Sequence, residues 1–196
     1  DNVPHIMEMI NCLDSDALID QDGRKEIIKK IAGIDEEIYI DVLTGAYNRK
    51  YYEENIKMTT GVSGIAMLDL DDFKLYNDTF GHMAGDVALK TVVSVIKKEI
   101  RKTDLIIRYG GDEFLIVMPG IEENTFVKKI KHIRETIDNT KVPGYPKLKL
   151  SVSIGGVISG GQPIEKAVEK ADKLMYKAKI KKNMVVTENE KNVIGN

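Results

Sequence analysis

The amino-acid sequence predicts a mixed α/β sandwich in which one mostly antiparallel central sheet is covered by helices. Apolar runs of strand length are separated by longer segments with helical periodicity. Two of these runs, at 104–109 and 113–119, are joined only through a glycine-containing tip, which is typical of a β-hairpin and therefore of antiparallel pairing. With 196 residues, 42% of them hydrophobic and 31% charged, we expect one packed domain of ordinary size with an N-terminal appendage.

The N-terminal part carries a helical stripe. From Arg24 onward, Ile27, Ile31, Ile34 and Ile38 recur at spacings of four, three and four, which is coiled-coil spacing over about two heptads. The stripe is typical either of a signalling or dimerisation helix or of a helix packed on its own domain. We therefore divide the chain into an N-terminal segment with its lead-in helix, residues 1–38, and a main domain, residues 39–196.

The first half of the main domain is predicted to form a strand, a helix and a hairpin. The strand covers 64–70, an apolar run that ends in acidic residues. The helix covers 85–101, because its apolar residues recur at helical spacing. The hairpin follows at 104–119.

The second half is predicted to form two helices and two strands. An amphipathic helix is marked by Phe126, Ile130, Ile133 and Ile137. Residues 147–158 alternate between polar and apolar at first and predict one further strand. Pro163 opens a second helix with Ile164, Ala167, Ala171, Leu174, Met175 and Ala178 on its inner face. A short edge strand is predicted at 184–187.

The charge and cysteine content exclude several classes of function. Lys and Arg number 29 against 31 Asp and Glu, so the formal charge of −2 gives no bulk electrostatic basis for binding nucleic acid or an anionic membrane. The single cysteine, Cys12, excludes an internal disulfide framework and fits a reducing, cytoplasmic compartment. No stretch approaches ~18 consecutive apolar residues, and no signal-peptide pattern is present. Because the chain begins at Asp1 without a methionine, we expect a fragment of a longer protein whose sensor or membrane segment lies outside it.

Carboxylates cluster at two places in the predicted sheet. Asp69, Asp71 and Asp72 stand where the first strand ends, and Asp112 and Glu113 stand at the hairpin tip. Like charges at such close range repel unless a cation neutralises them, and oxygens from two strand ends are the ligands that Mg²⁺ prefers. The alternatives are a solvated acidic loop and an ordinary β-turn. Because the two acidic places can lie side by side, the combination favours a metal site.

Other residues near these acids fit a nucleotide. Gly110 and Gly111 lack side chains, so the backbone at the tip can approach a nucleotide closely. Lys74 supplies positive charge for a transferring phosphate. Asn77 and Asp86 offer the amide and the carboxylate that hydrogen-bond guanine, although the alternative for Asp86 is a helix N-cap.

Five motifs together resemble the GGDEF domain, the catalytic domain of bacterial diguanylate cyclases. Across residues 39–187 they are, in order, DVLTGAYNRK (41–50), DLDDFKLYND (69–78), GHMAGD (81–86), RYGGDEF (108–114) and ADKLMYKAK (171–179). The resemblance implies a fold like that of nucleotide cyclases and polymerase palms. It also implies a reaction in which two GTP molecules condense to cyclic di-GMP and release two pyrophosphates.

The resemblance implies roles for individual residues. Asp69, Asp112 and the Leu70 carbonyl would bind Mg²⁺, for which Mn²⁺ can substitute. Asp112 is also the family's proposed proton acceptor for the attacking 3′-hydroxyl, Glu113 is implied as catalytic, and Lys74 would stabilise the transition state. The implied substrate-binding residues are Asn77 and Asp86 for guanine, His82 against the nucleotide, and Lys179 and Lys182 for the triphosphate.

The resemblance also implies a partner and an inhibitory site. One active site of this family binds one GTP, so bond formation needs an antiparallel homodimer. Arg101 and Asp104 fit the family's RxxD site, where cyclic di-GMP acts as a product inhibitor, and Arg134 is a candidate to complete it. The alternative for this stretch is a helix C-terminus whose basic residues complement the helix dipole.

The chain departs from the family pattern after Lys179. The family continues with Gly-Arg-Asn, whereas AKIKKNMVV lacks the glycine and is one residue shorter, so Lys182 stands in place of the arginine. Lysine offers charge to a phosphate but not a planar fork of donors. Ala46 and Tyr47 are milder variations.

Two other functions compete with the cyclase. A non-catalytic receptor for cyclic di-GMP or GTP typically loses the GGDEF signature residues, which this chain keeps. A polymerase-like or adenylate-cyclase-like enzyme needs different base recognition, or a template channel with more positive charge than this chain has. The sequence therefore favours the cyclase.

Overall fold

The structure is a computed structural model and describes residues 38–188. Residue contacts divide the chain between Ile38 and Tyr39, and the elements given below all belong to the second unit. Most of the predicted N-terminal stripe, at 27–38, and Cys12 lie outside the described residues. Within 38–188, no helix combines the length and the apolar character needed to cross a membrane.

Two sheets are present in the described part of the chain. Their strands are β1 (Ser63–Leu70), β2 (Leu105–Arg108), β3 (Glu113–Pro119), β4 (Lys141–Val142), β5 (Tyr145–Lys149), β6 (Val152–Ile158) and β7 (Val185–Thr187). The central sheet has the order β2-β3-β1-β6-β7, and β4 pairs with β5 separately. All pairs are antiparallel except β6 with β7, which is parallel. The predicted mostly antiparallel sheet is confirmed.

Helices cover both faces of the central sheet. They are α1 (an α-helical turn Arg49–Tyr51 continued by a π-helical turn Tyr52–Ile56), α2 (Phe73–Phe80), α3 (His82–Glu99), α4 (Glu123–Asn139) and α5 (Ile164–Lys181). Alternate residues of β1 pack on opposite layers: Ala66 and Leu68 belong to the core beneath α3 and α4, and Ile65 and Met67 to the core beneath α1 and α5. Every residue of β1 is therefore buried, which explains why its sequence is almost continuously apolar.

The close packing of α5 on β6 depends on Gly155. A Cβ atom at this position would overlap the backbone carbonyl of Ala171 and the backbone nitrogen of Met175. No side chain separates the strand from the helix here, so α5 lies directly against the sheet.

The structure confirms β1, the β2–β3 hairpin, α4, α5 and the short edge strand β7. The single strand predicted at 147–158 is wrong, because Tyr145–Lys149 pairs with β4 while Val152–Ile158 joins the central sheet. The helix predicted at 85–101 is confirmed but begins earlier, at His82. Residues Phe73–Phe80 form a helix that we did not predict.

Candidate active site

Strand register brings two of the predicted carboxylates together. Asp69 on β1 lies directly opposite Glu113 on β3. Both residues continue the alternation that directs Ile65, Met67 and Leu115 towards α5, so their side chains lie on the α5 side of the sheet. Like charges directly opposite each other in a sheet are destabilising. The site therefore calls for a neighbouring cation.

Lys179 provides that cation. Its Nζ lies 2.6 Å from Asp69 Oδ1, and the Asp69 side chain is only 6% exposed. Burial raises the pKa of Asp69 to about 6, with Lys179 opposing this shift and the charge of Asp112 adding to it. Burial alone would lower the pKa of Lys179, but the Asp69 carboxylate outweighs it and the pKa is raised.

The hairpin tip is tied to the end of β1. The backbone N–H of Leu70 donates to the Asp112 carbonyl at 3.2 Å, so Asp112 lies at the same end of the sheet as Asp69. A Cβ at Gly110 would overlap the Glu113 carboxylate, whereas a Cβ at Gly111 would meet nothing within 4 Å. We expected both glycines to make room for a nucleotide. In the structure, Gly110 makes room for Glu113, and only Gly111 faces open space.

Arg108 fixes the hairpin tip to the segment that precedes α1. Arg108 donates to the Gly111 carbonyl at 2.8 and 3.1 Å and forms an ion pair with Asp41 at 3.2 Å. Burial alone would raise the pKa of Asp41, but hydrogen bonds from Thr44 and Arg108 lower it.

Sequence reasoning missed the contribution of Arg49. Its guanidinium carbon lies 3.6 Å from the centre of the Tyr109 ring, and its Nη1 donates to the Tyr109 carbonyl at 3.3 Å. Tyr109 directly precedes Gly110, so Arg49 on α1 braces the tip. The residue stands in the quoted motif DVLTGAYNRK, but nothing in that motif indicates which element the side chain reaches.

Asp172 on α5 was also missed. Burial raises the pKa of Glu113, and the charges of Asp112 and Asp172 raise it further, while Lys179 and Arg49 oppose the shift. Asp172, Glu113, Asp69 and Lys179 line one cleft of about 730 Å³ beside α5. Its place in ADKLMYKAK, seven residues before Lys179, put it on the same helical face, and this was the available signal.

The predicted guanine-binding residues lie on α2 and α3. The Asn77 side chain packs against Gly85, where a Cβ would overlap its amide oxygen, and that buried oxygen has no hydrogen-bond partner among the residues that the structure describes. Asp86 follows Gly85 and is exposed. The N-cap alternative for Asp86 is wrong, because α3 begins at His82 and its N-cap is Gly81. Asp86 is left available for a ligand.

Two other predicted residues are exposed on the same helix pair. Lys74 lies in the first turn of α2, and His82 is the first residue of α3. In the part of the chain that the structure describes, no hydrogen bond or ion pair joins either side chain to Asp69, Asp112 or Glu113.

The segment after α5 takes an unusual backbone path. Lys182 and Asn183 have φ angles of +57° and +49°, in the left-handed region that favours glycine. Both residues thus adopt backbone conformations in which a glycine would be less strained. The Lys182 Nζ donates to both carboxylate oxygens of Asp72, at 2.7 and 2.9 Å.

Arg101 and Asp104, the predicted inhibitory pair, bind each other. Arg101 Nη2 donates to Asp104 Oδ1 at 2.7 Å and to the Pro119 carbonyl at 3.0 Å. The Asp104 side chain is 3% exposed and that of Arg101 51% exposed, so Arg101 presents the accessible charge. The pair borders a cleft of about 410 Å³. Arg134 contacts Asn183 and Glu135 instead, and within the described range 38–188 no hydrogen bond or ion pair joins it to this pair.

The donors at the end of β1 fit a hard divalent cation. Among residues 38–188, no group of three or more acidic, His or Cys side chains is placed to hold a metal ion. Asp69 and Asp112 nevertheless interact closely enough for the Asp112 charge to raise the pKa of Asp69. Two carboxylates with main-chain and phosphate oxygens form the kind of ligand set that Mg²⁺ uses in nucleotide sites.

Comparison with known proteins identifies the family to which this site belongs. Residues 38–184 match the family model described as the diguanylate cyclase GGDEF domain. The chain is 35% identical over 153 residues to the diguanylate cyclase DosC of Escherichia coli (strain K12), covering 73% of this chain and 33% of that protein. The chain thus spans about a third of the length of this curated relative.

Solved structures show the same fold. The GGDEF domain of DgcB from Caulobacter crescentus, in complex with c-di-GMP, is similar with a TM-score of 0.69 and 27% identity, covering 76% of this chain and 95% of that one. The diguanylate cyclase SiaD from Pseudomonas aeruginosa, in complex with its activator SiaC, is similar with a TM-score of 0.74 and 25% identity, covering 94% of this chain and 75% of that one.

Proposed function

Because the chain belongs to the GGDEF-domain family of diguanylate cyclases, we propose that it condenses two GTP molecules into cyclic di-GMP and releases two pyrophosphates. The observation that carries this proposal is the group of carboxylates at the end of β1. Asp69 and Glu113 face each other across the sheet, Asp112 is tied to Leu70 beside them, and Lys179 neutralises Asp69. This combination of paired acids and a lysine suits phosphoryl chemistry on a nucleoside triphosphate.

Each of the two condensation steps forms one bond and breaks one. The 3′-hydroxyl oxygen of one GTP attacks the α-phosphorus of the other, and the bond from that phosphorus to the pyrophosphate oxygen breaks. The hydroxyl proton passes to a carboxylate, for which we propose Asp112, with Glu113 beside it. Burial and neighbouring carboxylates raise the pKa of Glu113, so this residue is suited to hold a proton near the reacting hydroxyl.

Metal and phosphate binding divide between two groups of residues. A Mg²⁺ ion held by Asp69, Asp112 and the Leu70 carbonyl would supply Lewis-acid stabilisation of charge on the phosphate oxygens. Lys179 lies beside Asp69 and orients the triphosphate, while Lys74 on α2 stabilises the charge of the transition state. Lys182 contributes only when its ion pair with Asp72 opens.

Guanine recognition is assigned to α2 and α3. The exposed carboxylate of Asp86 accepts from the N–H groups of the base, the side-chain NH₂ of Asn77 donates to guanine O6 or N3, and His82 packs against the nucleotide.

The proposed reaction requires two copies of the chain. One site holds one GTP, so two copies face each other in an antiparallel homodimer. We also propose that cyclic di-GMP binds at Arg101 and Asp104 and inhibits the enzyme. The exposed guanidinium of Arg101 supplies the charge for a phosphate or a guanine edge.

The test is to incubate the purified chain with GTP and Mg²⁺ over a range of protein concentrations and to separate the products by chromatography. We expect cyclic di-GMP and pyrophosphate in a ratio of one to two, with a rate per chain that rises with protein concentration. Chelation of the metal should stop the reaction, and Mn²⁺ should restore it.

An Asp112→Ala variant is the control for the site. It should form no cyclic di-GMP while its thermal unfolding stays close to that of the native chain, because Asp112 is only half-buried and its bond to Leu70 is made by the backbone carbonyl. Continued turnover by this variant would remove Asp112 from the mechanism. A native chain that binds GTP or cyclic di-GMP without making product would instead indicate a receptor.

A further inference from the structure

Asp71 is a buried carboxylate to which the proposed mechanism gives no task. It lies just beyond β1, two residues after Asp69, and only 2% of its surface is exposed. It accepts hydrogen bonds from Ser151 Oγ at 2.5 Å, from Ser153 Oγ at 2.7 Å and from the backbone N–H of Asn183 at 2.9 Å. These three donors come from the start of β6 and from the segment after α5.

We propose that Asp71 is a positioning residue that fixes the end of α5, and with it Lys179, for the triphosphate of GTP. This inference rests on the proposed function, because Lys179 matters only if a triphosphate binds there. Asp71 itself touches no substrate. It acts through the backbone of Asn183.

The segment after α5 needs such an anchor because its conformation is unfavourable for the residues present. Lys182 and Asn183 both adopt positive φ angles although neither is glycine. The Asn183 N–H donates to Asp71, and the Asn183 side-chain oxygen accepts from Arg134 Nη1 at 2.7 Å. The next residue, Met184, accepts from the Ile154 N–H at 2.8 Å and leads into β7. The turn is thus held by three contacts, and the Asp71 carboxylate accepts from its backbone N–H.

The anchor controls the position of Lys179 relative to the metal-binding acids. Asp69 forms an ion pair with the Lys179 side chain, at 2.6 Å, near the end of α5. Asp71 accepts from the backbone N–H of Asn183, four residues after Lys179. The two acids are on one short stretch of backbone, so they fix the distance between the strand end and the helix end. An ionised carboxylate accepts from all three donors at once. An asparagine has one acceptor oxygen, and its NH₂ group would face donors.

The experiment compares Asp71→Asn with a matched control at the other end of the same sheet. Ser159 is also buried, and its hydroxyl bridges the Ser63 N–H at 2.9 Å and the Gly61 carbonyl at 2.7 Å. Ser159→Ala therefore removes a comparable buried link that does not reach α5. Two further variants, Ser151→Ala and Ser153→Ala, each remove one donor but leave the Asn183 contact in place.

Three readouts separate positioning from general stability. With GTP as substrate, we expect Asp71→Asn to raise KM about tenfold while kcat changes much less. Amide hydrogen exchange of residues 180–184 should accelerate in Asp71→Asn and stay unchanged in Ser159→Ala. The affinity for α,β-methylene GTP, which cannot release pyrophosphate, should fall in parallel with the rise in KM, and the two serine variants at β6 should show smaller losses.

The analogue distinguishes failure of this inference from failure of the proposed function. If Asp71→Asn binds the analogue as tightly as the native chain does, the positioning role is wrong. The same holds if Ser159→Ala loses as much affinity as Asp71→Asn. If the native chain makes no cyclic di-GMP but Asp71→Asn alone loses analogue affinity, the cyclase proposal fails and the positioning role stands.

Discussion

Asp69 has an environment that costs the folded chain stability. It is buried, lies opposite Glu113 and, among residues 38–188, forms its ion pair with Lys179. Such sites are common where function requires a charge that folding alone would not retain. Stability and metal binding are therefore expected to place opposite demands on this residue.

The pKa of Asp69 gives a prediction for stability against pH. Its folded value of about 6 exceeds the unfolded value of 3.8, so the folded state favours the protonated carboxyl. The ionised Asp69 carboxylate therefore lowers the free energy of unfolding. This loss of stability is present in full above the folded pKa and disappears as the pH falls to the unfolded pKa. With metal removed by a chelator, Asp69→Asn should be more stable than the native chain at about pH 7.5 by roughly 1–3 kcal/mol.

That difference should shrink as the pH is lowered from about 6 to about 4. Denaturant unfolding of both proteins across this range measures it. A stability difference that does not change with pH would contradict the assignment. The variant should also lose cyclase activity, since it lacks a proposed metal ligand.

At the scale of single elements, α1 packs directly on the hairpin and fixes its tip. Arg49 lies over the Tyr109 ring, and Tyr52 of α1 contacts the same ring edge to face at 5.2 Å. A cation over an aromatic ring contributes about 0.5–1 kcal/mol at an exposed site. The geometry of the tip, rather than the overall stability, is therefore the quantity that Arg49 is expected to control.

Arg49→Ala should lower kcat about tenfold, because the backbone that carries Asp112 and Glu113 loses its brace. Lys50→Ala is the matched control, since Lys50 is the next residue of the same helix and contacts Glu54 and Tyr39 instead of the hairpin. Steady-state kinetics of both variants, with thermal unfolding alongside, test this. Equal effects of the two substitutions would mean that Arg49 has no specific role at the tip.

The elements that the sequence predicted well are those with a local signal. β1 is a continuous apolar run, the hairpin has a glycine tip, and α5 has a long apolar stripe. The helix α2 was not predicted, although Phe73, Tyr76 and Phe80 recur at helical spacing; it is only eight residues long and follows directly on three acidic residues. The break between β5 and β6 has no local signal: alternation continues through it, and only the choice of partner strand separates the two.

The same distinction applies to the candidate site. The family motifs indicated the acids, and the strand register explains why Asp69 and Glu113 meet. Arg49, Asp172 and Asp71 act through elements far away in the sequence, and their roles depend on how α1 and α5 pack beside the hairpin. No pattern within one motif predicts such contacts.

At the scale of the whole molecule, the two proposed sites lie on different parts of the surface. Arg101 and Asp104 follow α3, and Arg101 donates to the Pro119 carbonyl at the end of β3, whereas Asp69 and Glu113 pair at the opposite end of the β1–β3 ladder. Inhibition at the first site must therefore act at a distance from the chemistry, or by holding two copies apart.

Arg101→Ala should relieve inhibition by cyclic di-GMP and leave the initial rate unchanged, because Arg101 is remote from the acids. Initial rates at increasing concentrations of added product measure this. Lys98→Ala is the control: Lys98 is an exposed cation near the end of α3, just before Arg101, and does not border the Arg101 cleft. An unaltered inhibition curve for Arg101→Ala would exclude this pair as the inhibitory site.

Gly155 has a consequence that reaches beyond the packing of one strand. Its missing side chain sets how closely α5 approaches the sheet, and Lys179 lies one turn beyond Met175, whose backbone rests on that glycine. An alanine at position 155 would push α5 away from the sheet and increase the distance between Lys179 and Asp69. The distance between the Lys179 ammonium group and Asp69 therefore depends on the absence of a Cβ atom at Gly155, a position that takes no part in the chemistry.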